Sequence, residues 1–182
     1  MPELQIHKTY NAANPADFRA IYNETFSLLY KVAWRVVNDE EAAEDLVHDS
    51  YIKASEKAMV FPSLDDAKFW LIRVVKNASL NYAKRKTREA KAYHKVLYES
   101  KKSSESADTA LLKEDAKRIA LEALNKLPKG LREVLILREY GDLNYKEIGK
   151  VLGITEGNVK IRMFRAREQL EKLLEADDVY IS

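Results

Sequence analysis

Apolar residues near the start of the chain recur every three or four positions. Phe18, Ile21, Tyr22, Phe26, Leu29, Tyr30, Ala33, Trp34 and Val37 form one stripe, which predicts a long amphipathic helix with a single buried face. Asn14 followed by Pro15 supplies its start: the asparagine accepts from free amides, and proline suits the first helical position. Asn38-Asp39 interrupts the pattern. It resumes with Ala43, Leu46, Val47, Tyr51 and Ile52 inward, leaving Glu40, Glu41, Glu44, Asp45 and Asp49 mostly outside. Carboxylates in that first turn also suit the positive end of the helix dipole. Phe61-Pro62-Ser63 reads as a loop, and Ser63 with Asp66 opens the next helix as a capping box does. That helix carries Phe69, Trp70, Ile72, Val74, Leu80 and Tyr82 into a basic end at Lys84, Arg85, Lys86 and Arg88.

The pattern fails from Glu99 to Asp108, ESKKSSESAD, where alanine is the only apolar residue. A stretch with so little to bury does not repay the entropy of ordering and reads as a flexible polar linker. Periodicity returns from Ala110 with Leu111, Ile119, Leu121 and Leu124. Pro128 restarts it, and Leu131, Val134, Leu135 and Leu137 make a short helix that Gly141 closes at C′. Asn144 with Glu147 caps a helix through Leu152, Gly153 turns the chain, and Thr155 caps a last helix reaching Ala176. The expectation is an all-α protein of two small helical domains, residues 1–98 and 109–182, joined by the linker 99–108.

Composition narrows this further. A chain of 182 residues that is 46% hydrophobic can bury a core, and only 5 glycines and 4 prolines leave little for a many-turned β fold. The absence of cysteine removes disulfides and thiolate metal sites and fits a reducing cytoplasm. Residues 1–20 hold no signal-peptide core, and no apolar run approaches the ~18 residues of a membrane span. A soluble, cytoplasmic protein without membrane insertion is expected. The formal net charge of +2 does not by itself announce a polyanion binder, so clustering must decide.

Clustering points to the stretch Tyr145–Leu170. A glycine-turned helix pair is by default a plain hairpin with a solvated basic face. Here Gly149 supplies a close helix crossing, Gly153 the turn, and Ile148, Leu152, Ile154, Val159 and Met163 a shared core. With two caps and clustered arginines, this is the layout of a DNA-binding helix-turn-helix. Glu156, Asn158 and Lys160, early on the second helix, are placed for base edges; Arg162, Arg165 and Arg167 suit phosphates.

Two features upstream remain. The acidic helix holds Asp45 and His48 at carboxylate–histidine spacing, but a di-metal bundle needs that motif twice, and His7 and His94 lack such surroundings. A solvated or partner-binding acidic face is the reading, with no metal and no cofactor. The basic helix interleaves Asn77, Asn81 and Tyr82 with Lys76, Lys84, Arg85 and Arg88, and Phe61 sits in the loop before it. Tyr82 and Trp70 suit the core; rings among cations also suit unpaired bases. No phosphate loop or nucleophile–base set is visible, so an enzyme is not expected.

The same residues resemble a known family. Asp45-Leu46-Val47-His48-Asp49-Ser50-Tyr51 is similar to part of region two of bacterial sigma factors, and Phe69 to Glu89 resembles the part that follows. Leu127 to Glu168 is similar to region four nearly throughout. The order, the tether and the short length resemble the extracytoplasmic-function group of the sigma-70 family. The resemblance implies a factor that binds core RNA polymerase and directs promoter recognition, DNA melting and initiation. It implies that Glu44, Asp45, Leu46, His48, Asp49 and Tyr51 meet the β′ clamp. It assigns the melted −10 element to Phe61, Lys76, Asn77, Asn81, Tyr82, Arg85 and Lys86. It assigns the −35 duplex to Lys160, Phe164 and Arg165, with Asn158 and Arg162 beside them. An anti-sigma protein is a possible further partner. The chain departs from the family at His48 (usually glutamine), Asn81 (often aspartate), Gly149 (usually alanine) and Ile161 (commonly small and polar). A stand-alone helix-turn-helix regulator is the alternative, and it leaves the two upstream helices unexplained.

Overall fold

The computed structural model describes residues 8–98, 119–120 and 122–178; the expected linker 99–108 and the positions Leu111 and Leu121 lie outside them. The first unit contains β1 (Tyr10–Asn11), α1 (Pro15–Val37), α2 (Glu40–Glu56), β2 (Val60–Phe61) and α3 (Leu64–Tyr98). The second contains α4 (described helical residues 119–120 and 122–126), α5 (Lys129–Glu139), α6 (Tyr145–Leu152) and α7 (Glu156–Asp178). Among the described residues the protein is all-α apart from one two-residue ladder, in which Tyr10 pairs with Phe61 and Asn11 with Val60, antiparallel.

The helix starts form as their sequences dictate. The Asn14 side chain accepts from the amides of Ala16 and Asp17, with Pro15 at the first helical position. Asp39 caps α2, Ser63 accepts from the Asp66 amide, and Asn144 and Glu147 complete a reciprocal capping box.

Burial on α1 differs from the expected stripe. Ile21, Leu29 and Ala33 are buried, but so are Thr25, Val32 and Val36. Phe18, Tyr22 and Phe26 are only half-buried and pack ring on ring toward α2, where Phe18 and Tyr22 meet Tyr51. The reason is that α1 lies between α2 and α3, so two faces are covered and no single stripe describes it. Ile52, expected inward, is 52% exposed.

The second core is built from Val134, Ile136 and Leu137 of α5, Ile148 and Val151 of α6, and Val159, Met163 and Ala166 of α7. Gly141 follows the α5 cap, but the left-handed residue there is Asp142, with φ 52°. Gly141 is needed for space: a Cβ would stand 2.7 Å from the Leu137 carbonyl oxygen. Gly153 does take φ 69° and ends α6.

Candidate nucleic-acid interface

The helix-turn-helix depends on a backbone approach that alanine does not permit. A Cβ on Gly149 would lie 2.6 Å from the Ile154 carbonyl oxygen, so α6 crosses the turn in direct backbone contact. Glycine here is a steric requirement of this chain, beyond the preservation of a small crossing. The buried side of α7 is Val159, Met163 and Ala166, with Leu170 and Leu173 half-buried. The opposite side is free: Phe164 is 71% exposed and Ile161 55%.

The seven candidates for duplex contact divide by what already engages them. Glu156, Asn158, Lys160, Phe164, Arg165 and Arg167 are exposed, and Arg162 is half-buried. Lys160 pairs with Glu156 at 2.9 Å, one turn away. Arg167 reaches back to Glu139 of α5 at 3.1 Å. Arg162 donates from Nε to Asn158 Oδ1, and its guanidinium lies so close over Gly130 that a Cβ there would be 3.0 Å from Nη1. Arg165 has no side-chain partner among the described residues and is the freest cation on the face.

On the first unit, the acidic side of α2 keeps Glu44, Asp45 and Asp49 exposed, with Leu46 and His48 half-buried. His48 stacks on Phe26 at 6.1 Å. Tyr51 is different: it is 3% exposed, and its hydroxyl is 2.7 Å from Thr25 Oγ1. Thr25 donates its own proton to the Ile21 carbonyl, so Tyr51 is the donor between them. Burial pushes the Tyr51 phenol up to about 12. As it stands, Tyr51 is a core residue behind the acidic face.

The candidates around α3 divide likewise. Asn77, Asn81, Arg85 and Lys86 are exposed. Tyr82 is half-buried, with the Arg85 and Lys86 cations 5.4 and 5.6 Å from its ring centre and its hydroxyl donating to Asp39 at 3.3 Å. Asn81, Tyr82, Arg85 and Lys86 line one wall of a groove of about 700 Å³, and Asp39, Asp45 and Asp49 line the other. Phe61, expected in a loop, belongs to β2, is 4% exposed, and packs on Trp70 with ring centres 5.8 Å apart. Lys76 is 1% exposed, its ammonium 2.6 Å from Glu133 of α5. Burial lowers the Lys76 pKa, and the Glu133 carboxylate opposes that shift.

That ion pair joins the two units, and periodicity did not reveal it. Arg73 donates from Nε to the Val151 carbonyl at 2.7 Å, at the C-terminal end of α6 where carbonyls lack helical partners. Lys68 lies 3.8 Å from Glu147, and Lys31 pairs with Asp142. The signal available in the sequence was Glu133 directly before the apolar run Val134–Leu137, and Arg73 and Lys76 one turn apart within an apolar run. Among the described residues, no cluster of three or more His, Asp or Glu side chains is placed to hold a metal ion. No helix there is long and apolar enough to cross a membrane.

Comparison with known proteins agrees with this layout. Residues 21–89 match the family described as Sigma-70 region 2, and residues 117–170 match Sigma-70, region 4. The chain is 30% identical to the RNA polymerase sigma-H factor of Pseudomonas aeruginosa over 149 residues, 78% of this chain and 77% of that protein. It is 26% identical to the ECF RNA polymerase sigma factor SigM of Bacillus subtilis over 155 residues, covering 84% and 92%. Among solved structures, CnrH in complex with the cytosolic domain of CnrY aligns with a TM-score of 0.57 at 24% identity, covering 91% of this chain and 94% of that one. The sigma factor RpoE, in complex with the anti-sigma factor NepR from Bartonella quintana, aligns at 0.51 and 24%, covering 88% and 98%. Those two likenesses bear on the fold.

Proposed function

Because the chain belongs to the extracytoplasmic-function group of the sigma-70 family, we propose a division of labour between its two units within transcription initiation. It is a sigma factor: it binds core RNA polymerase and directs initiation at promoters. The first unit, residues 1–98, docks on the β′ clamp through Glu44, Asp45, Leu46, His48 and Asp49 of α2. Carboxylates steer toward a basic partner, and Leu46 supplies apolar contact. The same unit takes the melted −10 strand along α3, at Asn77, Asn81, Tyr82, Arg85 and Lys86. A base leaving its stack costs a few kcal/mol, which ring stacking and amide hydrogen bonds offset. The second unit, residues 109–182, lays α7 against the −35 duplex with Arg165, Phe164 and Lys160 foremost.

The observation that carries this reading is the presence of two exposed basic faces of different chemistry. The α3 face interleaves amides and a tyrosine with cations, as a single strand requires. The α7 face stands on a helix-turn-helix, as a duplex requires. The chain acts in the cytoplasm without a catalytic site of its own, since the polymerase carries the chemistry. It takes an anti-sigma partner, as the sigma factor RpoE from Bartonella quintana takes NepR. Run-off transcription with core polymerase on genomic fragments tests the reading. Discrete transcripts that depend on the chain are expected; failure of the chain to associate with core polymerase would overturn it.

A further inference from the structure

The outer side of α7 carries an apolar ridge that the fold does not use. Val159, Met163 and Ala166 are buried in the second core. At about 3.6 residues per turn, Gly157, Ile161 and Phe164 fall on the opposite side of the helix. Ile161 and Phe164 are large apolar side chains, each more than half exposed. A Cβ on Gly157 would meet nothing within 4 Å, so the space ahead of Ile161 is open. Polar side chains border the ridge on both flanks, Lys160 and Arg167 on one, Asn158, Arg162 and Arg165 on the other. Most of these already have partners: Lys160 pairs with Glu156, Arg167 with Glu139, and Arg162 with Asn158. Past Arg167 the helix turns mostly acidic, at Glu168, Glu171 and Glu175, which confines an approach to phosphates to its N-terminal half.

We propose that Ile161 is a specificity-determining residue of α7 that reads the C5-methyl group of a thymine in the major groove, with Phe164 extending the apolar contact beside it. This rests on the reading of α7 as the duplex face. A major groove about 12 Å wide admits one helix about 10–12 Å across and is walled by two phosphate strands. Cations on both flanks with an apolar ridge between them match that cross-section. On the groove floor the thymine methyl is the apolar group that a base pair presents, so the ridge has one class of target there. Isoleucine offers no donor or acceptor, so it does not read the other base edges by hydrogen bonds. Two exposed side chains cover only a fraction of the roughly 800 Å² per partner that a stable protein interface buries, which argues against a protein occupant. Ile161 is also a position where the chain departs from the family pattern, so the contact belongs to this chain.

Duplexes are selected from a random-sequence library by core polymerase carrying the full-length chain, and the segment protected from nuclease upstream of the melted region is mapped. Each thymine of that segment is then replaced in turn by uracil, which lacks only the methyl group. At one position, or two adjacent ones, the replacement is expected to weaken binding by about fourfold, the value of one buried methyl-sized group. With Ile161→Ser, the thymine and uracil duplexes should bind within about twofold of each other. The salt slope of that variant should match the parent's, because no phosphate contact is lost. Its thermal unfolding should match as well, since the side chain lies outside the core. A protected segment in which no uracil replacement weakens binding would overturn the inference, as would a full methyl effect that persists in Ile161→Ser. Self-association of the free chain that Ile161→Ser abolishes would give the ridge to a second copy and overturn it too. Upstream protection unchanged by Arg165→Ala and Ile161→Ser alike would instead strike the reading of α7 itself, and the inference with it.

Discussion

On α7, Lys160, Phe164 and Arg165 face solvent from a helix whose opposite side is locked into the second core. On and before α3, Phe61 packs against Trp70 and Lys76 is drawn into an ion pair with Glu133. On the proposed assignment, the contrast follows from what each surface reads. Duplex DNA presents its grooves and phosphates without prior rearrangement, so a preformed helix face suffices. A melted strand exists only after opening, so its reader can remain partly covered until then. Within the first unit the acidic face of α2 behaves like α7: Asp45 and Asp49 are exposed and ready, while Tyr51 beneath them serves the core.

The largest effect should come from the most exposed charges. Reversing Asp45 and Asp49 together to lysine should lower core-polymerase affinity on the order of a hundredfold, because attraction to a basic partner becomes repulsion. Helical content should not change, since both side chains lie outside the core. A normal pull-down by a folded double variant would remove α2 from the interface.

Next in size is the backbone crossing of the helix-turn-helix. Gly149→Ala gains about 1 kcal/mol of helix propensity but forces a Cβ against the Ile154 carbonyl. Overpacking of that kind costs ~1–3 kcal/mol, so a net loss of up to about 2 kcal/mol is expected in thermal unfolding. It should appear in duplex binding while polymerase docking through α2 persists. A stabilised variant would show that the turn yields.

The two arginines on α7 sharpen the comparison further. Arg165→Ala should weaken duplex binding by about three- to tenfold and reduce the salt slope by ~0.9, the value of one phosphate contact. Arg162→Ala should change the slope less, because that guanidinium is already held by Asn158 and lies over Gly130. Equal slopes would mean that both reach phosphates.

Smallest is the buried phenol. Tyr51→Phe should cost ~1 kcal/mol of stability, the net worth of one hydrogen bond, and leave polymerase affinity unchanged. The pH dependence has a definite sign. Burial raises the phenol from 10.0 to about 12, so its favourable contribution is complete below pH 10 and declines as pH rises toward 12. Denaturant unfolding across that window should show the decline in the parent chain, and Tyr51→Phe should lose that component. A drop in polymerase affinity would return Tyr51 to the contact surface.

Much of this was legible beforehand because it is local. The Asn14, Asn144 and Thr155 caps, the Gly153 turn, and the inward run of Val159, Met163 and Ala166 follow from spacing and side-chain chemistry alone. What was hidden depends on contacts between distant parts. Periodicity marks one buried face, so it misses Val32 and Val36 on a helix covered from two sides. The Phe61 ladder needs Tyr10, fifty-one positions away in sequence. Lys76 reads as a strand-binding cation until Glu133 is placed beside it, and nothing in the α3 sequence names that partner. Exposure, which separates Asp45 from Tyr51 and Arg165 from Arg162, is likewise a tertiary property.

The division of labour is tested most directly by footprinting promoter complexes formed with core polymerase. Nuclease protection reports the −35 duplex and permanganate reactivity of thymines reports the melted −10 region. The parent chain should give both. Arg165→Ala should weaken upstream protection, and Asn81→Ala with Arg85→Ala should suppress permanganate reactivity while upstream protection persists. Loss of both signals together in either variant, or full signals in both variants, would contradict the assignment of one DNA form to each unit.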